Sequence, residues 1–134
     1  MKPRLERALK ALKKAYNNGK LEANHCKKCA VGTIVASYGT FGGNGGEWYI
    51  AVSCPEHCSS ETSLNQIKAT GYTLKQLTLI EERFESASLV EYGNDSNSTV
   101  YNEAKGLIAV IKVLCKIDRI PAEERDQIIK DFGL

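Results

Sequence analysis

Residues 104 to 118, AKGLIAVIKVLCKID, constrain this chain more than any other stretch. Leu107, Ile108, Val110, Ile111, Val113, Leu114 and Ile117 fall almost all round a helix of 3.6 residues per turn. A helix without a polar face has to be covered on most sides, so it belongs at the centre of a domain. Ile111, mid-way along it, is expected to be buried whichever face packs most tightly. Cys115 reads as a small buried hydrophobe in the same helix.

The covering elements follow from the same periodicity. Leu5, Ala8, Leu9, Leu12, Ala15 and Tyr16 form one stripe of a first helix, with Pro3 in its first turn and Gly19 as its stop. ETSLNQIKATG predicts a short helix ending near Gly71. Thr73 and Gln76 make a capping box, with Tyr72 placed to staple onto Leu77, and Leu77, Ile80, Phe84 and Ala87 form the stripe that follows. Pro121 opens a last helix with Glu123 and Glu124 in its first turn, docked by Ile128, Ile129, Phe132 and Leu134. Residues 33–53 leave two readings open. AVGTIVASY either continues as a helix or forms a strand, 33–38, paired across the glycine-rich loop GTFGGNGG with 47–53. The expected fold is a mainly α single domain over 1–134, a bundle of about five helices, with room for that one small β-hairpin.

Several function classes can be set aside. The composition, 43% hydrophobic and 25% charged, is that of a globular chain and not of a disordered one. No apolar run approaches the roughly 20 residues of a membrane span, and the amphipathic start MKPRLERALKALKK has no uninterrupted apolar core, so no secretory signal and a cytoplasmic location are expected. EYGNDSNST superficially resembles a calcium loop, but Val100 and Gly106 stand where glycine and glutamate are required. GTFGGNGG is not followed by the Gly-Lys-Ser/Thr of a phosphate loop. No catalytic constellation stands out: His25 and His57 both adjoin cysteines, and neither makes a separate base for a Cys-His hydrolase. A non-enzyme without a catalytic site is expected.

Charge is unevenly placed. Residues 1–30 hold nine Lys or Arg against Glu6 and Glu22, whereas the remainder holds nine against fourteen acidic residues. The basic N-terminal third suits an acidic partner or nucleic acid, or is simply a solvated face. Trp48, Tyr49 and Tyr38 fit base stacking, and equally fit ordinary packing.

The five cysteines are an odd number, which argues against a disulfide framework. Cys26-x2-Cys29 and Cys54-x3-Cys58 have the character of two zinc knuckles, with His57 as an alternative ligand to Cys58. Against zinc stands the apolar continuation of CAVG, which suits thiols half buried at a helix start. A thiol redox pair at Cys26 and Cys29 would draw on a helix N-terminus and on Lys27 and Lys28, but lacks a preceding βαβ unit.

Three blocks carry a resemblance: ALKALKKAYNNGKLEANHCKKCAVG (8–32), GYTLKQLTLIEERF (71–84) and GLIAVIKVLCKIDRIP (106–121). They resemble a family of small proteins from Bacteroidetes and their phages or prophages. Its pattern is met by Leu21, Cys26, Cys29, Ala30, Val31 and Gly32, by Gly71, Tyr72, Thr73, Ile80 and Glu81, and by the helix starting at Gly106. Members sometimes carry the label of a sodium-translocating NADH:quinone reductase subunit. This chain lacks the span, the flavin domain and the ferredoxin-type cysteine run which that label requires. The glycine loop and CPEHC depart from the family pattern, so the resemblance lends nothing to Cys54, His57 or Cys58. The expected function is that of a small accessory protein of bacterial or phage origin that binds a protein partner. The alternatives are a zinc-stabilised nucleic-acid-binding module and a thiol redox protein.

Overall fold

The computed structural model describes residues 1–24, 28–38, 67–94 and 98–134. These residues are mainly helical, with one small two-stranded antiparallel sheet. In chain order they form α1 (Pro3–Asn17), α2 (Ala30–Ala36), α3 (Leu74–Ser88), β1 (Leu89–Glu91), β2 (Val100–Tyr101), α4 (Glu103–Ile117) and α5 (Ala122–Asp131). A further helical turn at 67–69 precedes Gly71.

α4 is the central element. Leu107, Val110, Ile111 and Leu114 are fully buried. It packs most extensively on α3, and α1 and α5 also lie against it. Ile111 is fully buried, as the all-round apolar pattern requires. The start of α4 meets the end of α3, because Gly106 lies against Phe84 and Ser88, so the two helices run antiparallel. Their junction is the β1–β2 ribbon, with Leu89 paired to Tyr101 and Glu91 to Val100 across an irregular step. The ribbon runs directly into the helix ends: Asn102 N–H donates to Ser88 O at 2.6 Å, and Asn102 Oδ1 caps α4 by accepting from the N–H groups of Ala104 and Lys105.

The remaining termini are formed as their sequence dictates. Pro3 opens α1, and Leu5, Ala8, Leu9 and Leu12 form its buried stripe. Gly19 takes φ +67°, the left-handed conformation that ends a helix at least cost in glycine. Thr73 and Gln76 close a full capping box on α3. Pro121 precedes α5, and Ile128 and Phe132 dock it.

One expectation needs correction. Residues 33–36 are not the first strand of a hairpin but the second half of α2. Their β-branched side chains carry a strand preference of only about 1 kcal/mol. That preference yields to the burial of Ala30, Val31, Ile34 and Val35 against the core and to a cap from Cys29. The small antiparallel pair occurs instead at β1 and β2, and 39–53 lies outside the described residues. No described helix is long and apolar enough to cross a membrane.

Gly106 generates a stability prediction. A Cβ there would collide with Ser88 Oγ and come within 2.8 Å of both Phe84 Cδ1 and the Phe84 carbonyl. Backbone cannot step aside as a side-chain tip can, so α3 and α4 would have to separate. Gly106→Ala should therefore destabilise by about 2–3 kcal/mol, despite the better helix propensity of alanine. Urea unfolding should show the midpoint fall at unchanged slope; an unaltered midpoint would mean the two helices are not this closely packed.

Candidate functional site

Three polar assemblies stand out among the described residues. The first is buried and ties the start of α1 to the exit of α4. Asp118, the C-cap of α4, has a fully buried side chain. Its Oδ1 accepts from Arg4 Nε at 2.9 Å and also meets Arg4 Nη2, while Lys2 Nζ stands 3.7 Å away. Its Oδ2 accepts from the Tyr72 hydroxyl at 2.8 Å. Arg4 in turn donates to the Gly71 carbonyl and lies 4.4 Å from the centroid of the Tyr72 ring. The hydrogen bond to Asp118 raises the Arg4 pKa. Burial, and then the Asp118 carboxylate, hold the Tyr72 phenol above its ordinary range, so it stays a donor. The assembly is satisfied within itself and joins α1, the entry to α3 and the exit of α4.

The second lies where the cysteine stretch meets α3. Cys29 is fully buried and caps α2, its Sγ accepting from Gly32 N–H at 3.2 Å. Glu81 lies beside it at the start of α2, near Ala30 and Val31, with its Oε1 buried and without a hydrogen-bond partner among the described residues. One turn along α3, Glu85 accepts the Asn24 N–H with both carboxylate oxygens, at 2.8 and 2.9 Å. Asn24 takes φ +57°, a conformation asparagine tolerates better than most residues. Glu103 on α4 accepts the Ala23 N–H at 3.3 Å. Burial is the main cause that pushes Glu81 up to about 7, and Glu85 adds to it; the Cys29 and backbone donors act in the opposite direction. Burial also raises Glu85 and pushes the Cys29 thiol up, with Glu81 adding to the latter.

Of the four residues expected as zinc ligands, Cys29 is therefore a buried helix cap. Cys26, Cys54, Cys58 and the alternative ligand His57 lie outside the described residues, among which no three His, Cys, Asp or Glu side chains converge as a metal site. Of the pair expected under the redox reading, Cys29 is buried and its thiol pKa is raised by that burial, and Cys26 lies outside the described residues. Sequence reasoning missed Glu81, although it carries a signal. It stands four residues after Leu77 and three before Phe84, a carboxylate on the buried stripe.

The third assembly is open to solvent. A cleft of about 640 Å³ runs along α1 beside Ser37, with Glu6, Arg7, Lys10 and Lys14 as its charged walls and Pro3 and Ala11 as apolar lining. Arg7 is held in place: its Nη2 donates to the Ser37 carbonyl, and its guanidinium stacks 3.9 Å from the Tyr38 ring centroid. Comparison with protein-family models, curated proteins and solved structures gives no match.

Two predictions follow from the second assembly. Glu81 holds its proton up to about pH 7 in the folded chain, whereas an unfolded glutamate releases it near pH 4.3. Across that window the folded state binds the extra proton, so stability falls as pH rises. Glu81→Gln should flatten this decline and raise Tm above about pH 7, by the equivalent of about 1–3 kcal/mol. Parallel slopes for the two proteins in melts between about pH 5 and pH 8 would remove Glu81 from the account.

Cys29 separates a cap from a metal ligand. As a cap, Cys29→Ala should cost about 1–2 kcal/mol, and Cys29→Ser, which keeps an acceptor for Gly32, should cost less. As a zinc ligand, both would lose the ion and fall alike, and a chelator would lower the wild-type Tm steeply. Thermal melts of the three proteins with and without chelator decide between these outcomes.

Proposed function

We propose that this chain is a small non-catalytic accessory protein that binds an acidic partner through the α1–Ser37 cleft. The observation that supports this reading is the placing of charge. The first two assemblies spend their polar groups inside the fold. The cleft instead presents Lys10 and Lys14 to solvent with no ion-pair partner among the described residues. The resemblance to proteins of Bacteroidetes and their phages supports an accessory role of bacterial or phage origin. Cations on a rigid helix, beside an arginine already fixed by its neighbours, form a surface that attracts an acidic partner and orients it.

The test uses a simple polyanion. Dye-labelled poly-glutamate should bind the wild-type chain in a salt-sensitive manner, followed by fluorescence anisotropy. Lys10→Glu with Lys14→Glu should weaken that binding by at least about tenfold, as expected when cations central to a docking surface are reversed. Lys112→Glu with Lys116→Glu, on the exposed side of α4, changes net charge equally and should leave most of the affinity. Equal losses in the two double variants would show attraction by overall charge and not by the cleft.

A further inference from the structure

We infer, resting on the function proposed above, that the occupant of the α1–Ser37 cleft is an acidic amphipathic helix of a protein partner, laid along α1. Arg7, Lys10 and Lys14 stand at i, i+3 and i+7, so they line one stripe about 10 Å long at 1.5 Å per residue. A second helix with carboxylates at the same spacing meets such a stripe residue for residue. The cleft also has the apolar lining a helix needs. Ala11 and Pro3 are small enough to let backbones approach to the 8–10 Å of packed helices. Glu6 gives the site polarity, because it asks for a cation at one end of an otherwise acidic stripe.

The same residues speak against a nucleic-acid strand. Half of the cations of α1 and the residue before it are already engaged away from the cleft: Lys2 and Arg4 with Asp118, and Lys13 at 5.8 Å from the Phe132 ring centroid. Arg7, Lys10 and Lys14 remain, with Glu6 beside them. Three cations fall well short of the roughly 6–10 phosphate contacts typical of a salt-dependent nucleic-acid binder.

The probes are three. The first is a capped, dye-labelled Glu/Ala/Leu peptide of about 16 residues, long enough to be helical, with its carboxylates on one stripe at i, i+3 and i+7. The second has the same composition with the carboxylates dispersed around the helix. The third is an oligothymidylate of matching charge. The full chain should bind the stripe peptide at least about tenfold more tightly than either of the others. The Lys10→Glu and Lys14→Glu double variant should lose that preference and gain one for a peptide carrying lysines in the same stripe, a rescue that a folding defect cannot produce. Equal affinity for striped and dispersed peptides, or tighter binding of the oligothymidylate, overturns the helical partner. If Lys10 and Lys14 still govern binding in those cases, the cleft keeps its acidic partner. Failure of all three probes to bind overturns both readings.

Discussion

One buried carboxylate holds three helix termini together. Asp118 closes α4, accepts from Arg4 at the start of α1 and accepts from Tyr72 ahead of α3, with a side chain fully removed from water. A charge in that position is tolerable only when its oxygens are paired, and breaking such a pair from one side costs several kcal/mol. Here both oxygens are occupied, and the ring of Tyr72 also receives the Arg4 guanidinium on its face. The Gly71 carbonyl completes the guanidinium's set of acceptors. The first turn of α1 is thereby pinned to the exit of α4, alongside the burial of its apolar stripe.

The Cys29–Glu81 region obeys a different logic. α2 is short, the Cys29 sulfur accepts its Gly32 N–H, and Glu81 of α3 lies buried beside that start. Glu85 and Glu103 accept the N–H groups of the loop at Ala23 and Asn24. Two carboxylates thus serve backbone N–H groups at one corner of the molecule, and Glu81 lies buried next to them. Burial is the main cost here, and Glu81 bears most of it because it is the most deeply placed, with the Glu85 charge adding to it. Glu85 and Glu103, by accepting the Asn24 and Ala23 N–H groups, replace the water those groups lost on burial.

What could be read in the sequence was local. The stripes of α1, α3, α4 and α5 repeat within a few turns, and the Thr73–Gln76 box and the Gly19 stop involve neighbours only three or four residues apart. Each was legible and each is present. Residues 33–36 were ambiguous because Thr33, Ile34 and Val35 suit either state, and the choice is made by partners on α1 and α3 that the local pattern does not contain. The Asp118–Arg4 pair joins residues 114 positions apart, so no periodicity announces it. Glu81 lay between, visible as a carboxylate on a buried stripe, but its meaning depended on knowing that Cys29 and the start of α2 lie above it.

The division of labour among the charges links fold to function. α1 and the residue before it carry cations all along the side away from its buried stripe, and the structure sorts them by what stands opposite. Those at the N-terminal end meet Asp118 and become part of the fold. Arg7 meets the end of α2, where a carbonyl and an aromatic ring fix its plane. Lys13 reaches toward Phe132, whose ring seals the C-terminal helix onto the core. Only along the line from Lys10 to Lys14 does nothing described on the molecule answer the charge. Lys10 and Lys14, exposed and without an ion-pair partner among the described residues, are free to meet a partner's charge without breaking a contact of the fold. Arg7 is therefore best understood as a fixed wall and the two lysines as adjustable contacts. A surface of that kind holds its shape before a partner arrives, so little ordering has to occur on binding.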